Sequence, residues 1–294
     1  MNGKNKNNQP EYYPSAMTIA GSDSGGGAGI QADLRTFNAL GVFGCSVITA
    51  VTSQNPAAVS RIDTIPAAGV TAQIEAVLDK IAVRWVKTGM PGSAENVSAV
   101  AEAIKAHKLK VVCDPVMIST SGTVLGDEAS AEMMQKELMP RCAWITPNIP
   151  ESEFILKKKF SGPADIADGA KALADRFQTN IVLKGGHDES SSKAVDYVCF
   201  KGEVFTLSAP RLKIPPFASH GTGCTFSAAM AALSALKFQW SDMLQEAKAF
   251  VFGSLRENVE IGDNVFGMYP PVEDSLELID MAEFSNKPRK GKHK

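Results

Sequence analysis

Short apolar runs alternate with longer stretches of helical periodicity along this chain, and that alternation restricts its fold more than any other feature. Runs such as 16–20, 45–51 and 85–88 have the length and apolar content of buried strands. Stretches such as 66–81 and 94–107 carry apolar residues at helical spacing. Strands that alternate with helices form βαβ units. The sequence therefore predicts an α/β fold, a three-layer αβα sandwich around a mainly parallel central sheet.

Polar residues gather where the predicted strands end. The remaining predicted elements are a helix at about 30–40, strands at 110–113, 143–145 and 181–183, a hairpin of 197–200 and 204–207 turning at Gly202, and helices at about 222–237 and 241–260. The polar clusters are 22–29, 52–55, 87–90, 114–117, 148–151 and 184–187. Ligands of open α/β sheets bind beyond the carboxyl ends of the strands. This coincidence indicates an enzyme site.

Bulk properties exclude several classes of protein. There is no internal repeat or linker, so we expect one domain over 15–270, with disordered tails at 1–14 and 286–294. A net charge of −2 gives no basic field for nucleic acid. No apolar run approaches the ~20 residues of a membrane span. Five cysteines, an odd number without a CxxC pair, predict a reduced, cytoplasmic protein.

The segment 219–230 carries the strongest chemical signal. Gly221 and Gly223 flank Thr222, and a small-residue apolar run follows, which is typical of a tight turn opening into a buried helix. The free N–H groups of such a helix start bind anions, phosphate above all, although a plain structural turn fits the pattern equally well. Cys224 lies in the first helical turn, where we expect a lowered thiol pKa. Because His220 is four residues away, a Cys–His hydrolase also remains open.

The segment 21–29 has five glycines in nine residues but matches neither common nucleotide-binding pattern. It indicates either backbone close to a ligand or a structural bend. Asp33, expected in the first turn of the next helix, could simply interact with the helix N-terminus. The Gln54 amide can donate and accept together, which suits a ring nitrogen beside an exocyclic amine, but a loop glutamine is usually solvated.

Three oxygen-bearing side chains follow two other strands. Asp114, Asn148 and Glu151 offer the hard ligands that Mg²⁺ uses, commonly through its waters. Lys184, between a strand and two glycines, could meet phosphate oxygens. Each of these residues taken singly is also compatible with an ordinary polar surface.

The order of these motifs resembles the ribokinase-like kinases, and within them the hydroxymethylpyrimidine/phosphomethylpyrimidine kinases of thiamine biosynthesis. The stretches that carry the resemblance are 18–33, 49–55, 87–90, 114–117, 146–151, 184–187 and 220–225. In most sugar kinases of this superfamily the residue after Gly-Thr-Gly is Asp, the catalytic base. The cysteine here is typical of the pyrimidine-kinase branch and its pyridoxal-phosphorylating relatives.

The resemblance implies ATP-dependent phosphorylation of 4-amino-5-hydroxymethyl-2-methylpyrimidine, then of its monophosphate to the diphosphate. The implied substrate-binding residues are Gly21, Asp33, Gln54, Met90 and Val116. The implied nucleotide-side residues are Asp114 and Glu151 around Mg²⁺, Asn148 and Lys184 near ATP, Gly221, Thr222 and Gly223 as the anion hole, and Cys224 as the base. The resemblance also implies a homodimer.

The chain departs from the family pattern in places. Ser219 stands where Thr is usual, 121–123 lacks a customary Asp, and 262–269 replaces a glycine-rich ending. The alternative is a pyridoxal kinase on the same scaffold. Ser119 argues against it, because relatives active on pyridoxal tend to carry a second Cys there. A catalytically silent pyrimidine-binding protein is a third reading, which the retained Cys224, Lys184, Asp114 and Glu151 disfavour.

Overall fold

Strands and helices alternate along the residues that the computed structural model describes, 12–116, 128–186 and 191–285. The strands are β1 (Ser15–Asp23), β2 (Phe43–Asn55), β3 (Ala58–Thr64), β4 (Trp85–Thr88), β5 (Lys110–Cys113), β6 (Trp144–Ile145), β7 (Asn180–Leu183), β8 (Lys193–Phe200), β9 (Glu203–Pro210), β10 (Val259–Gly262), β11 (Val265–Gly267) and β12 (Asp280–Glu283). The α-helices are α1 (Gly29–Ala39), α2 (Ala67–Lys80), α3 (Ala94–His107), α4 (Glu128–Met133), α5 (Ile149–Leu156), α6 (Pro163–Phe177), α7 (Thr222–Ala235) and α8 (Trp240–Arg256).

Ten of these strands form one sheet, in the order β12-β9-β8-β7-β6-β5-β4-β1-β2-β3. The six from β2 to β7 across the middle are parallel. Antiparallel strands complete both sides, β3 on one and β8, β9 and β12 on the other. The parallel strands all end at the same edge, so the polar residues that follow them come together there.

Two apolar cores, one on each face of the sheet, establish the three layers. Successive strand residues alternate between them: Val111 and Cys113 join one core, and Val112 joins the other. Helices α2, α3, α5 and α6 cover the first core, and α1, α7 and α8 cover the second. The predicted αβα sandwich is thereby confirmed.

The C-terminal third departs from the predicted elements. The last predicted helix, 241–260, ends instead at Arg256, and β10 begins at Val259. Val259 and Ile261 are β-branched residues in alternation, which favours a strand. The turn between β10 and β11 has Asn264 in the left-handed conformation, with φ of 55°. Residues 262–267 of the segment 262–269, which departs from the family pattern, lie in this hairpin.

The ordered structure is also longer than the expected 15–270. Pro14 O accepts a hydrogen bond from Phe43 N at 2.9 Å, and β12 adds to the main sheet beyond residue 270. Residues 1–11 and 286–294 lie outside the described residues, as do 121–123, Met117, Ser119 and His187. Within the described part of the chain, the helices are too short or too polar to cross a bilayer.

Candidate active site

A cavity of about 1000 Å³ lies at the carboxyl ends of the parallel strands. Of the thirteen expected site residues, the structure places twelve in its wall: Gly21, Gln54, Met90, Val116, Asp114, Asn148, Glu151, Lys184, Gly221, Thr222, Gly223 and Cys224. They come from the ends of β1, β2, β4, β5, β6 and β7 and from the start of α7. Parallel topology therefore brings together residues up to 203 positions apart, the separation from Gly21 to Cys224.

Helix α7 begins at Thr222 against the glycine-rich loop that follows β1. Gly221 has a φ of 84°, and a Cβ there would lie 1.9 Å from Gly27 O. Only glycine fits both the left-handed backbone and the close approach. A Cβ on Gly223 would lie 2.9 Å from Lys184 Nζ and 3.4 Å from Asp114 Oδ2. The unpaired N–H groups at the start of α7 thus open beside a cationic side chain, a combination that suits phosphate.

Lys184 and Asp114 form an ion pair in the middle of the cavity wall. Lys184 Nζ donates to Asp114 Oδ1 at 2.8 Å, and Thr146 Oγ1 donates to the same oxygen at 3.3 Å. Burial lowers the pKa of Lys184, but the charges of Asp114 and Glu151 outweigh it and raise that pKa above its ordinary value. The lysine is therefore charged at neutral pH and stands ready for phosphate oxygens.

Asn148 and Glu151 cap the start of α5. Asn148 Oδ1 accepts from Glu151 N at 2.8 Å, and Glu151 Oε2 accepts from Asn148 N at 2.8 Å, a reciprocal capping box. Both side chains thus have a structural task besides the binding expected of them. The cap also fixes their positions in the cavity wall. Next to it, the backbones of Asn148 and Lys184 form an isolated parallel β-bridge.

The donor set of this wall fits a magnesium ion that arrives with a nucleotide. Asp114 and Glu151 are two carboxylates facing one cavity, and both interact electrostatically with Lys184. The described residues contain no cluster of three or more His, Cys, Asp or Glu able to hold a metal alone. Mg²⁺ commonly takes only one or two protein carboxylates and completes its octahedron with water and phosphate oxygens.

The thiol of Cys224 does not have the lowered pKa that its place in the first helical turn led us to expect. Desolvation raises the pKa of Cys224 to about 11, although the charge of Lys87 and a hydrogen bond with the Gly29 backbone lower it. The Asp33 and Asp114 carboxylates raise it further. Burial beside two negative charges outweighs the field of the helix start, so at neutral pH the side chain is a thiol.

Asp33 does not line the substrate pocket, nor is it in the first turn of α1. Its side chain is fully buried beneath the cavity, where Lys87 Nζ and Thr18 Oγ1 donate to Oδ2 at 2.8 and 2.6 Å. Burial lowers the pKa of Lys87, but Asp33 reverses that effect and raises it above the ordinary value. The sequence placed Lys87 only within a polar cluster. Its partner Asp33 lies 54 positions away, so no local pattern could predict the pair.

Four of the expected substrate residues line the cavity. Gly21 packs so closely on Met90 that a Cβ would lie 2.4 Å from Met90 Cε. Met90 O in turn accepts from Thr49 Oγ1 at 2.6 Å, which connects the loop after β4 to β2. Val116 and the Gln54 amide line the same cavity, so apolar side chains and a polar amide are both available to a flat heterocycle.

Two buried side-chain pairs in the cavity wall were not predicted from the sequence. His220, which we considered only as a partner for Cys224, pairs with Asp23 instead, Nε2 to Oδ2 at 3.0 Å. Asp196 Oδ2 accepts from Lys248 Nζ at 2.7 Å, and its Oδ1 accepts from Gly185 N at 3.0 Å. A signal for the second pair existed, since an Asp within an apolar strand and a Lys on an apolar helix face both need partners.

Apolar side chains of α8 also line the cavity. Lys248 shares one face of α8 with Val251, Phe252 and Leu255, at helical spacing. Leu212 and Ile214 line the cavity as well. A second flat ring can therefore pack against apolar side chains of this wall.

Comparison with known sequences gives the family of the chain. The sequence pattern described as phosphomethylpyrimidine kinase matches residues 23–269. The hydroxymethylpyrimidine/phosphomethylpyrimidine kinase of Haemophilus influenzae is 41% identical over 250 residues, which cover 84% of this chain and 92% of that protein.

Solved structures agree with the sequence comparison. The phosphomethylpyrimidine kinase of Clostridium difficile is similar with a TM-score of 0.71 and 36% identity, covering 81% of this chain and 97% of that one. The pyridoxal kinase of Staphylococcus aureus, in complex with AMP-PCP and pyridoxal, is similar with a TM-score of 0.82 and 28% identity, covering 93% and 100%. With the motif order, the fold and the cavity in agreement with these matches, the chain belongs to the phosphomethylpyrimidine kinase family.

Proposed function

We propose that this protein transfers the γ-phosphoryl group of ATP to the hydroxymethyl group of 4-amino-5-hydroxymethyl-2-methylpyrimidine, and then to the resulting monophosphate, in thiamine biosynthesis. The observation that carries the proposal is the arrangement inside one cavity. Apolar side chains and the Gln54 amide, able to take a flat heterocycle, line the same cavity as the Lys184–Asp114 pair, the α7 start and Cys224.

Each step forms one bond and breaks one. The substrate hydroxyl oxygen (in the second step, a phosphate oxygen of the monophosphate) attacks the γ-phosphorus, and the bond from that phosphorus to the β,γ-bridging oxygen breaks to release ADP. Phosphoryl transfer needs mainly positioning and charge stabilisation. The α7 amides and Lys184 stabilise the transferring group. In the first step the hydroxyl proton passes to Cys224 Sγ when that group is a thiolate, or the neutral thiol only orients the hydroxyl.

Mg²⁺ is part of the proposal. Asp114 and Glu151 would hold it, directly or through water, and it would neutralise charge on the phosphates. The role of this chain's own residues is to keep those two carboxylates in place. The capping box fixes Glu151, and Thr146 and Lys184 fix Asp114.

A substrate screen tests the proposal directly. Purified protein, ATP and Mg²⁺ are incubated with the pyrimidine alcohol, its monophosphate or pyridoxal, and the products are identified by mass spectrometry. We expect monophosphate and then diphosphate from the pyrimidine, with one ADP released for each transfer. Binding of the pyrimidine without any ADP release would instead favour the catalytically silent binding protein.

Pyridoxal phosphorylation is the second candidate, because pyridoxal kinases are close structural neighbours of this chain. Their TM-score of 0.82 exceeds the 0.71 of the C. difficile phosphomethylpyrimidine kinase, whereas sequence identity ranks the two the other way, at 28% and 36%. Identity weighs more here, because side chains rather than the backbone path select a heterocycle. A tenfold preference for pyridoxal in the screen would reverse our ordering.

The Cys–His hydrolase has no support in the geometry. His220 Nε2 faces Asp23, and His220 Nδ1 has no hydrogen-bond partner among the described residues. Cys224 therefore lacks the adjacent base that a cysteine nucleophile requires.

We place the reaction in the cytoplasm, a setting consistent with five free cysteines.

A further inference from the structure

Asp23 and His220 fasten the two glycine-rich loops of the cavity to each other. Asp23 accepts from Gly25 N and Ala28 N, both at 2.8 Å, which shapes the loop after β1. The same carboxylate takes His220 Nε2 from the loop before α7 at 3.0 Å. Asp23 and His220 are 3% and 7% exposed, so solvent contributes little to this pair.

The hydrogen bond to Asp23 places a hydrogen on His220 Nε2. Desolvation raises the pKa of Asp23, but the hydrogen bonds from His220, Ala28 and Gly25 outweigh it and lower that pKa below its ordinary value. An ionised carboxylate only accepts, so His220 Nε2 must carry the hydrogen that points to it. His220 Nε2 therefore carries a hydrogen and has no free lone pair.

The hydrogen on His220 Nε2 constrains the Gln54 amide, which lies between the side chains of His220 and Thr52. Gln54 Nε2 lies 3.4 Å from His220 Nε2, and Gln54 Oε1 lies 3.1 Å from Thr52 Oγ1. A protonated His220 Nε2 has no lone pair to accept from an amide N–H, so the amide oxygen and not the amide nitrogen belongs on that side. Thr52 Oγ1 has one hydrogen and lies closer, at 2.9 Å, to Ser22 O, which can only accept. The amide atom facing Thr52 must then donate.

Both demands are met when the amide is turned end for end, a change that needs no extra space because its oxygen and nitrogen are nearly equal in size. We propose that His220, held by Asp23, is a positioning residue that sets the orientation of the Gln54 amide, with the oxygen toward His220 and the nitrogen toward Thr52. The outer edge of the amide then offers the cavity an acceptor on the His220 side and a donor on the Thr52 side.

This order of donor and acceptor is a specificity device, an inference that rests on the proposed function. An aminopyrimidine edge presents an amino donor beside a ring-nitrogen acceptor. It can pair with the ordered amide in only one sense, amino group to Oε1 and ring nitrogen to Nε2–H. The amide orientation consequently sets which way round the ring lies, and so which ring substituent faces Cys224.

A double-mutant cycle tests whether His220 acts through Gln54. We expect His220→Phe to raise the KM for the pyrimidine alcohol about tenfold, as one misplaced hydrogen-bonding pair does, with the KM for ATP unchanged. Gln54→Met should do the same, and the double variant should be no worse than Gln54→Met alone. His220→Gln, whose side-chain nitrogen can replace Nε2, should stay within about threefold of the parent. An additive loss in the double variant, or an unchanged KM in His220→Phe, would overturn the proposal.

An experiment without turnover separates this inference from the proposed function. Long-range ¹H–¹⁵N correlation spectra of the full chain at pH 7 distinguish histidine tautomers, and His220→Phe assigns the signal among four histidines. We expect a hydrogen on His220 Nε2, and its loss in Asp23→Asn. A ring whose only hydrogen is on Nδ1 would refute the inference even if pyrimidine phosphorylation is established. A wild-type protein that turns over no pyrimidine would refute the function and leave this placement of the hydrogen intact.

Discussion

At the scale of single residues, the chemistry of Cys224 is governed by what surrounds it. A thiol in the first turn of a helix ordinarily ionises more readily. Here Asp33 and Asp114 lie close, and desolvation dominates, so the pKa of Cys224 rises to about 11. The thiolate fraction at pH 7 is then on the order of one part in 10⁴. Whether the residue serves as base or as hydrogen-bonding thiol becomes a measurable question.

The pH dependence of turnover decides between these two roles. If the thiolate accepts the hydroxyl proton, kcat should rise about tenfold per pH unit between pH 6 and 9, because the ionised fraction grows as pH approaches the raised pKa. Cys224→Asp supplies a carboxylate that is already ionised, so its profile should be flat over the same range. A flat wild-type profile would show that the thiol only orients the substrate.

Removal of the thiol measures its contribution. Cys224→Ala should lower kcat by ~10²–10⁴, the range for loss of a positioned base, with ATP affinity little changed. Cys45→Ala is the control, since Cys45 is a buried cysteine of the core opposite α7. Iodoacetamide should label Cys224 ahead of the four buried cysteines, faster at higher pH and more slowly with pyrimidine bound. If the Ala variant keeps most of its activity, the Cys224 side chain contributes only packing and has no role in the reaction.

Two neighbouring glycines should respond differently to an added methyl group. In Gly223→Ala the new Cβ meets the movable ends of Lys184 and Asp114, so we expect a normal melting temperature and a kcat lower by ~10²-fold through displacement of the phosphate-binding lysine. In Gly221→Ala it meets the Gly27 backbone at 1.9 Å, and the fold itself should lose stability. Gly41→Ala is the control, because it has a similar φ of 72° and nothing within 4 Å.

The comparison of these three variants isolates each cause. Gly41→Ala carries only the ~1–2 kcal/mol of a left-handed alanine, so a larger loss in Gly221→Ala measures the clash between the two loops. Normal turnover in Gly223→Ala would mean that Lys184 binds no transferred phosphate.

At the scale of secondary-structure elements, the Asp33–Lys87 pair joins α1 to β4 beneath the cavity, and Thr18 adds β1. Both side chains are fully buried. Within the pair, the charge of Lys87 lowers the pKa of Cys224 and that of Asp33 raises it. These hydrogen bonds connect α1, β1 and β4 beneath the cavity.

Breaking that pair should destabilise the protein strongly. Lys87→Met leaves the Asp33 carboxylate buried without its cation, which typically costs about 3–5 kcal/mol. Lys87→Met with Asp33→Leu should recover part of the loss, because no buried charge remains. The free energy of unfolding is measured by urea titration, with Arg61→Met at the exposed Arg61–Asp63 pair as the control expected to change nothing measurable. Equal losses in the single and double variants would show that packing, not charge, matters there.

At the scale of the whole molecule, the sheet leaves β3 at its edge, beside the long strand β2. Phe43 and Val51 of β2 are 57% and 44% exposed, and an edge with exposed apolar side chains is a common place for a second copy to pack. We expect a homodimer of about 63 kDa, twice the 31.3 kDa chain, in sedimentation equilibrium. Val51→Lys should shift it toward monomer, with Val272→Lys, an exposed valine outside the strands, as the control. A wild-type monomer would contradict the expectation.

The sequence by itself determined the layers of this protein and the residues that face its cavity. Local periodicity separates strands from helices, and residues that follow parallel strands must meet at one edge. These patterns predicted where the site lies, and the family resemblance supplied the individual residues, twelve of thirteen of which line the cavity. The Gly-Thr-Gly-Cys turn could be predicted because glycine is only modestly enriched at helix starts, so two glycines there indicate a specific backbone requirement.

Only the tertiary structure decided the electrostatics of the site and the addition of β3 and β12 to the sheet, whereas the β8–β9 hairpin was predicted from the sequence. The partners of Asp33 and His220 are 54 and 197 residues away in the chain. No local pattern encodes such pairs, because contact depends on how distant elements pack. The pKa of Cys224 moved against its helix-start expectation for the same reason, since desolvation and the neighbouring charges are properties of the assembled cavity.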